Sequence, residues 1–253
     1  MPAPGELTYY QRIGEAGREH ALNKPFSDDR RGALLMEAGA ILLLLPPPPC
    51  RVLECGCGTG WLSYILAKSG YDVVGQDLNP KAIELARGNQ LFSALAKAPQ
   101  FVEGDFERSA FRNEFNAIVF FDSLHHSVDL RLAIGKAFEA LKPGGIMIAS
   151  EPGVGHAEHS REFAEKWGVT DRDAPPSLTL ALGRDAGFAS GRIWPHAELL
   201  GPALYQRKAT LWPHRLIRLF YHTVFARRNG IVVLEKAWPL SSQATLRPSS
   251  NRC

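Results

Sequence analysis

The sequence predicts an α/β fold built on a parallel sheet with crossover helices. Three observations carry that prediction. From residue 51 onward, short β-rich runs alternate with helical patterns. The first strand passes through a glycine-rich turn, "ECGCGTG", directly into a helix. Strand character then recurs at intervals until seven runs are present: "RVLECG", "YDVVGQD", "QFVEGD", "FNAIVFFDS", "IMIASE", "SGRIWPH" and "GIVVLEKA".

Each element has a local reason. "ALLMEAGAILLLL" (33–45) reads as a buried or interfacial helix, closed by the four prolines at 46–49 because proline cannot continue it. It contains Glu37 and is only 13 residues long, whereas a spanning helix needs about 20. After the first strand, "GWLSYILAKSG" is a helix ending at Gly70. After the second, Asn79 caps a helix with Pro80 at its first position, where a missing N–H costs nothing. The helix after the fourth strand shows Leu130, Ile134, Phe138 and Leu141 on one face and is expected to stop at "KPGG". "SLTLALGRDAGF" is a short helix with Ser177 as its expected cap.

Composition narrows the class. With 253 residues, 45% hydrophobic and 22% charged, the chain can bury a full-sized core, and its charge of +3 is too small to imply a nucleic-acid partner. Cys50, Cys55, Cys57 and Cys253 form no disulfide framework, since three crowd into eight residues; reduced thiols in a cytoplasmic protein are expected. The N-terminus lacks the apolar core of a secretory signal.

The cysteines alternate with glycines, so the stretch must be weighed as a metal knuckle or as a cleared loop. Metal sites use C-x(2–4)-C with a second pair, a spacing C-x-C does not meet. Glycines at 56, 58 and 60 after a strand and before a helix suit a backbone brought close to a ligand. The dinucleotide pattern G-x-G-x-x-G fails at one residue, because Trp61 stands where its third glycine belongs.

What fits instead is E-x-G-x-G-x-G, on Glu54, Gly56, Gly58 and Gly60. This resembles motif I of the class I S-adenosylmethionine (SAM)-dependent methyltransferases. The resemblance continues in order over roughly residues 50–152: Asp77 closes "VVGQDLNP", Asp105 and Phe106 lie in "EGDFE", Asp122 lies in "FFDSLHH", and "LKPGGIMIASEP" follows. It implies a Rossmann-like seven-stranded, mostly parallel sheet with an antiparallel last strand ("GIVVLEKA") and helices on both faces. An N-terminal helical extension and a helical insertion before the last strand complete the expected architecture. The expected organisation is a lid over 1–49, a SAM-binding core over 50–155 and an acceptor-side half over 156–240. The last of these carries a basic insertion over 199–230, and a disordered tail follows over 241–253.

The resemblance also assigns roles. Glu54, Gly56, Cys57, Gly58, Thr59, Gly60, Trp61, Asp77, Leu78, Asp105, Phe106 and Asp122 are the expected SAM contacts, with S-adenosylhomocysteine as product. Asp77 takes the ribose hydroxyls, Asp105 the adenine amine, and Phe106 supplies a neighbouring N–H. Physical chemistry agrees: SAM is cationic and lacks phosphate, so carboxylates around the loop serve it better than a helix dipole would.

Methyl transfer from a sulfonium is an in-line displacement that depends on placing the acceptor, and an alcohol acceptor must also lose a proton. His125, His126, Glu151 and His156 follow the fourth and fifth strands and are the candidates for that work, with His159 nearby. Each also has a structural reading, in which it lines the pocket or bonds a loop carbonyl. A metal held by Asp122, His125, Glu151 and His156 is conceivable, but none is expected. Tyr9 and Tyr10 belong either to the lid or to simple aromatic packing. Residues 199–234 contain no Asp or Glu but have Arg207, Lys208, Arg215, Arg218, Arg227 and Arg228 among Trp212, Leu216, Leu219 and Phe220. That segment suits a helical cover, peripheral contact with an anionic membrane, or an anionic acceptor.

The expected function is methyl transfer to a small-molecule or glycan-like acceptor, most naturally at a hydroxyl oxygen. Nitrogen or carbon transfer, or a catalytically silent SAM-binding protein recruited to a membrane or partner, are the alternatives.

Overall fold

The computed structural model describes residues 1–197, 199–200, 216, 220 and 225–238. Their sheet has seven strands in the order β3-β2-β1-β4-β5-β7-β6. The strands are β1 (Arg51–Cys55), β2 (Asp72–Asp77), β3 (Gln100–Glu103), β4 (Phe115–Phe121), β5 (Leu141–Ser150), β6 (Ser190–Pro195) and β7 (Gly230–Glu235). The first five pair in parallel, and β7 alone runs against its neighbours β5 and β6. This is the Rossmann-like arrangement the motifs imply.

Both faces of the central strands are buried, which is why they read as continuous apolar runs. Leu53, Val74, Ile118, Phe120 and Met147 face one layer, where α6 (Leu130–Ala140) and α9 (Pro176–Ala186) pack. Val52, Val73, Ala117, Val119 and Ile148 face the other, under α3 (Arg31–Leu44) and α4 (Trp61–Lys68). Asn79 caps α5 (Pro80–Gly88) as expected, its side chain accepting from the Lys81 and Ala82 N–H groups.

Two local expectations are corrected. Ser177 is not a cap: α9 begins at Pro176 with Pro175 before it, so Ser177 lies inside the first turn. "KPGG" is not a loop after α6 either. The strand β5 begins at Leu141, pairing with Phe115, and the register then jumps to Ile146 opposite Ala117, so the lysine, proline and glycines form an irregularity within the strand.

Strand order reverses between β1 and β4, and ligands of open α/β sheets bind in the crevice at such a switch point, outside the carboxyl ends of the strands. Two short N-terminal helices, α1 (Pro4–Arg12) and α2 (Gly14–Leu22), cover that end. Their anchors are side chains from the core: Thr59 Oγ1 donates to the Ala21 carbonyl at 2.6 Å, and Asn79 Nδ2 to the Glu6 carbonyl at 2.7 Å. None of the described helices is long and apolar enough to cross a membrane. Most of the basic 199–230 insertion and the 241–253 tail lie outside the described residues; Leu216 and Phe220 are described, and both are exposed.

Candidate active site

The glycine loop is a tight turn at the tip of β1. Gly56 and Cys57 both donate N–H to the Gln76 carbonyl, at 2.7 and 3.0 Å. Gly56 has φ +73° and Gly58 φ +54°, in the region glycine occupies without penalty. A methyl group on Gly56 would lie 2.5 Å from Ser123 Cβ, and one on Gly58 would lie 2.8 Å from the Tyr10 hydroxyl. The loop is therefore cleared on one side for packing against the tip of β4 and on the other for close approach from above.

Over the loop is a cavity of about 430 Å³, within the usual range for a small-molecule site. Glu54, Gly56, Cys57, Gly58, Thr59, Trp61 and Asp122 line it, and so do Tyr9 and Tyr10 from α1. Gly60 sits behind them at the start of α4. Asp77 stands behind Gly58, its carboxylate accepting from the Gly58 and Asn79 N–H groups at 2.8 Å each. Leu78 is half-buried beside it. Asp105 accepts from the Glu107 N–H at 2.8 Å, and Phe106 packs edge-on against Phe120. Asp77, Leu78, Asp105 and Phe106 thus lie outside the cavity wall, along the adjoining strand ends.

The electrostatics of the loop follow from burial. Burial pushes the Glu54 carboxyl up to about 8, against the lowering effect of the hydrogen bond that Ser63 Oγ donates to it. Burial likewise raises Asp77, with the Asn79 and Gly58 N–H groups opposing. The Cys55 and Cys57 thiols are pushed up by burial and by neighbouring carboxylates, which keeps them neutral.

A second assembly lies past Asp122, which has φ +52°, an uncommon conformation for a residue other than glycine. Glu151, at the end of β5, is buried and accepts from the N–H groups of Ser123 and Leu124 at 3.1 and 2.9 Å. It also meets the His125 N–H and, at 2.7 Å, His125 Nδ1. Glu151 thereby holds the 3-10 turn Leu124–His126. Burial alone would lower the His125 pKa, but the Glu151 hydrogen bond and the charges of Glu151, Asp122 and Asp171 outweigh it and raise it to about 9.

His126 takes a different part, its Nδ1 lying 2.6 Å from the Thr170 carbonyl. His156 opens α7 (His156–His159), and its ring lies 4.8 Å from that of His125. The structure thus brings His125, Glu151 and His156 together beside Asp122, while His126 holds the 169–175 loop. None of these four residues lines the cavity itself.

Several residues of the site carry no sequence motif. Asp171 faces both His125 and His156. Glu6 accepts from the Thr170 N–H at 2.8 Å. Behind Glu151, His196 bridges Glu37 Oε1 at 2.6 Å and the Glu151 carbonyl at 3.2 Å, while Ser150 Oγ donates to the same Glu37 oxygen. The available signals were faint: an acid within an apolar helix for Glu37, and two acids in "TDRDAPP" for Asp171.

Comparison with known proteins agrees with this geometry. Residues 27–180 match the family described as "Methyltransferase domain". A ubiquinone biosynthesis O-methyltransferase of Chelativorans sp. is 36% identical over 101 residues, covering 40% of this chain and 39% of that protein. Among solved structures, a geranyl diphosphate C-methyltransferase from Streptomyces coelicolor, bound to S-adenosylhomocysteine, superposes with a TM-score of 0.60. It is 12% identical, covering 85% of this chain and 88% of that one. A phosphoethanolamine N-methyltransferase from Haemonchus contortus, in complex with S-adenosyl-L-methionine, has a TM-score of 0.57 at 18% identity, covering 89% of this chain and 61% of that one. Oxygen, carbon and nitrogen acceptors all appear among these names.

Proposed function

Because this chain belongs to the class I SAM-dependent methyltransferases, we propose that it methylates a small-molecule or glycan-like acceptor at a hydroxyl oxygen. The carrying observation is the buried histidine–carboxylate assembly of His125, Glu151, His156 and Asp171 adjoining the cavity wall at Asp122. A hydroxyl must shed a proton as its oxygen attacks, and His156 with Asp171, rather than the already protonated His125, can take it there; a carboxylate or thiolate acceptor has no comparable need. The O-methyltransferase relative supports the same reading.

The residues present fit the cofactor. The cleared glycine loop admits it, the cavity over the loop has room for its methionine end, and the nucleoside end follows the adjoining strand ends past the wall. SAM, when bound, supplies an electrophilic methyl on sulfur. Glu54 is placed to oppose the cationic methionine end. Asp77 and Asp105 each spend part of their accepting capacity on backbone N–H groups and retain enough for ribose and adenine donors. Gly56, Cys57, Gly58, Thr59, Gly60 and Trp61 shape the cradle, Leu78 and Phe106 flank the nucleoside, and Asp122 stands on the acceptor side. The pair His125–Glu151 positions the β4 turn, His126 and His156 brace the loop facing it, and the assembly takes up acceptor charge.

In the same proposal, residues 1–49 act as the lid, 50–155 as the cofactor half and 156–240 as the acceptor half, in a cytoplasmic protein whose 199–230 segment can meet membranes. Tyr10 over Gly58 supports the lid assignment. The test is calorimetric titration with SAM and S-adenosylhomocysteine, followed by methyl-labelled SAM with matched hydroxyl, amine and carbon acceptors. Label on oxygen supports the reading. Label only on nitrogen or carbon removes the oxygen assignment, and absence of SAM binding by the folded protein removes the function altogether.

A further inference from the structure

The 169–175 loop carries a carboxylate, marked by no motif, onto two histidines. Asp171 Oδ1 lies 2.7 Å from His156 Nε2 and 3.9 Å from His125 Nε2. One ligating atom from each of the three residues lies within 4.8 Å of the others. The His125 and Asp171 side chains are 3% and 5% exposed, and His156 is 24% exposed. Despite their close approach, His156 Nε2 and Asp171 Oδ1 are not aligned as a hydrogen bond. Both atoms are buried, and neither has a hydrogen-bond partner among the described residues. The two are in ion-pair contact, but buried polar atoms without an aligned hydrogen bond are uncommon. A single cation seated beside the pair and bound to both would satisfy them.

The second observation concerns His125. Its Nδ1 lies 2.7 Å from Glu151 Oε2 and keeps its N–H there, so Nε2, directed toward Asp171, is the nitrogen that exchanges its proton for a metal. A carboxylate that orients an imidazole through its far nitrogen is the usual outer support of a metal-bound histidine. The remaining supports are also in place. Asp173 accepts from the Gly155 and Ala157 N–H groups at 2.9 Å each, which seats His156, and Glu6 and His126 hold Thr170, which seats Asp171.

We propose that His125 Nε2, His156 Nε2 and Asp171 Oδ1 form a binding site for a divalent transition-metal ion of the zinc type. Two imidazoles favour zinc, cobalt or nickel over magnesium or calcium, which prefer all-oxygen sites. In a tetrahedral site with bonds of about 2.1 Å the ligand atoms stand about 3.4 Å apart, so on binding the His156–Asp171 pair opens from 2.7 Å and the widest separation, up to 4.8 Å, closes by more than an ångström. The ion joins the β4 turn, α7 and the 169–175 loop, beside the cavity wall at Asp122. Three protein ligands leave further coordination positions to water or an acceptor oxygen. The proposal stands whether the methyl group goes to oxygen, nitrogen or carbon.

The test uses the full chain, stripped with a chelator and titrated with Zn²⁺ alone, then with Co²⁺ alone. One ion per chain, a raised melting temperature and a visible cobalt spectrum of nitrogen–oxygen ligation are expected. Asp171→Asn and His156→Ala should each weaken Zn²⁺ binding by roughly 100-fold or more, since ligand loss exceeds the 10–100-fold typical of outer-shell changes. His159→Ala, on the neighbouring turn, should leave it unchanged. S-adenosylhomocysteine titration of each variant reports separately that the fold is intact. The proposal is overturned if the wild type takes up no stoichiometric ion, if Asp171→Asn binds as tightly as wild type, or if the cobalt spectrum shows thiolate ligation.

Discussion

Replacing Glu151 by alanine should cost about 4 kcal/mol of stability, although the residue lies on no helix and in no apolar cluster. The carboxylate is buried and accepts from the backbone N–H groups of Ser123, Leu124 and His125 and from the His125 ring. Alanine leaves those four donors without their acceptor. Each orphaned buried donor costs about 1–3 kcal/mol, and entry of water into the vacated space recovers part of the sum. Breaking a buried charged pair by removing one partner costs about 3–5 kcal/mol, which brackets the same answer. With a urea slope of about 2 kcal/mol per molar, the midpoint falls by about 2 M. Urea unfolding followed by tryptophan fluorescence measures this. Glu151→Gln, which keeps one accepting oxygen but turns an NH₂ toward the remaining donors, should lose about half as much. An alanine variant within 1 kcal/mol of wild type, at unchanged slope, would refute the claim that this carboxylate organises the turn.

Gly56→Ala should destabilise by about 3 kcal/mol and abolish SAM binding, because a left-handed alanine costs about 1–2 kcal/mol and its methyl meets Ser123 Cβ. Ser123 cannot yield, since its hydroxyl donates to the Cys55 carbonyl at 2.7 Å. Gly58→Ala should be milder in thermal denaturation, as its neighbour is the movable end of Tyr10. Glu54 is held at about 8 against an ordinary value of 4.5, so its contribution favours folding below pH 4.5 and is lost as pH rises toward 8. Glu54→Gln should flatten that part of the stability–pH curve. Binding of cationic SAM should release a proton from Glu54 near neutrality, seen as a buffer-dependent heat in calorimetry; equal heats in buffers of different ionisation enthalpy would contradict it. Asn79→Ala removes both the cap of α5 and the bond to the Glu6 carbonyl, and should cost about 1–2 kcal/mol while speeding SAM association through a looser lid.

The sequence by itself determined the sheet, its crossover helices and the cofactor loop. These depend on short-range signals: runs buried on both faces, a cap at Asn79 with Pro80 behind it, and glycines at 56, 58 and 60 where positive φ is required. Each is decided within a few residues, so it is legible without partners. Local signals misplaced Ser177 and "KPGG" because proline geometry and the pairing of Leu141 with Phe115 outweighed them. Only the tertiary structure decided which groups meet. Asp171 reaches His125 across 46 positions of chain, Glu6 reaches Thr170 across 164, and Glu37 reaches His196 across 159. Glu151 holds a turn because four donors converge on it at the ends of β4 and β5. A buried charge is stabilised by whichever donors the packing of distant segments supplies, and no local pattern of residues encodes that encounter.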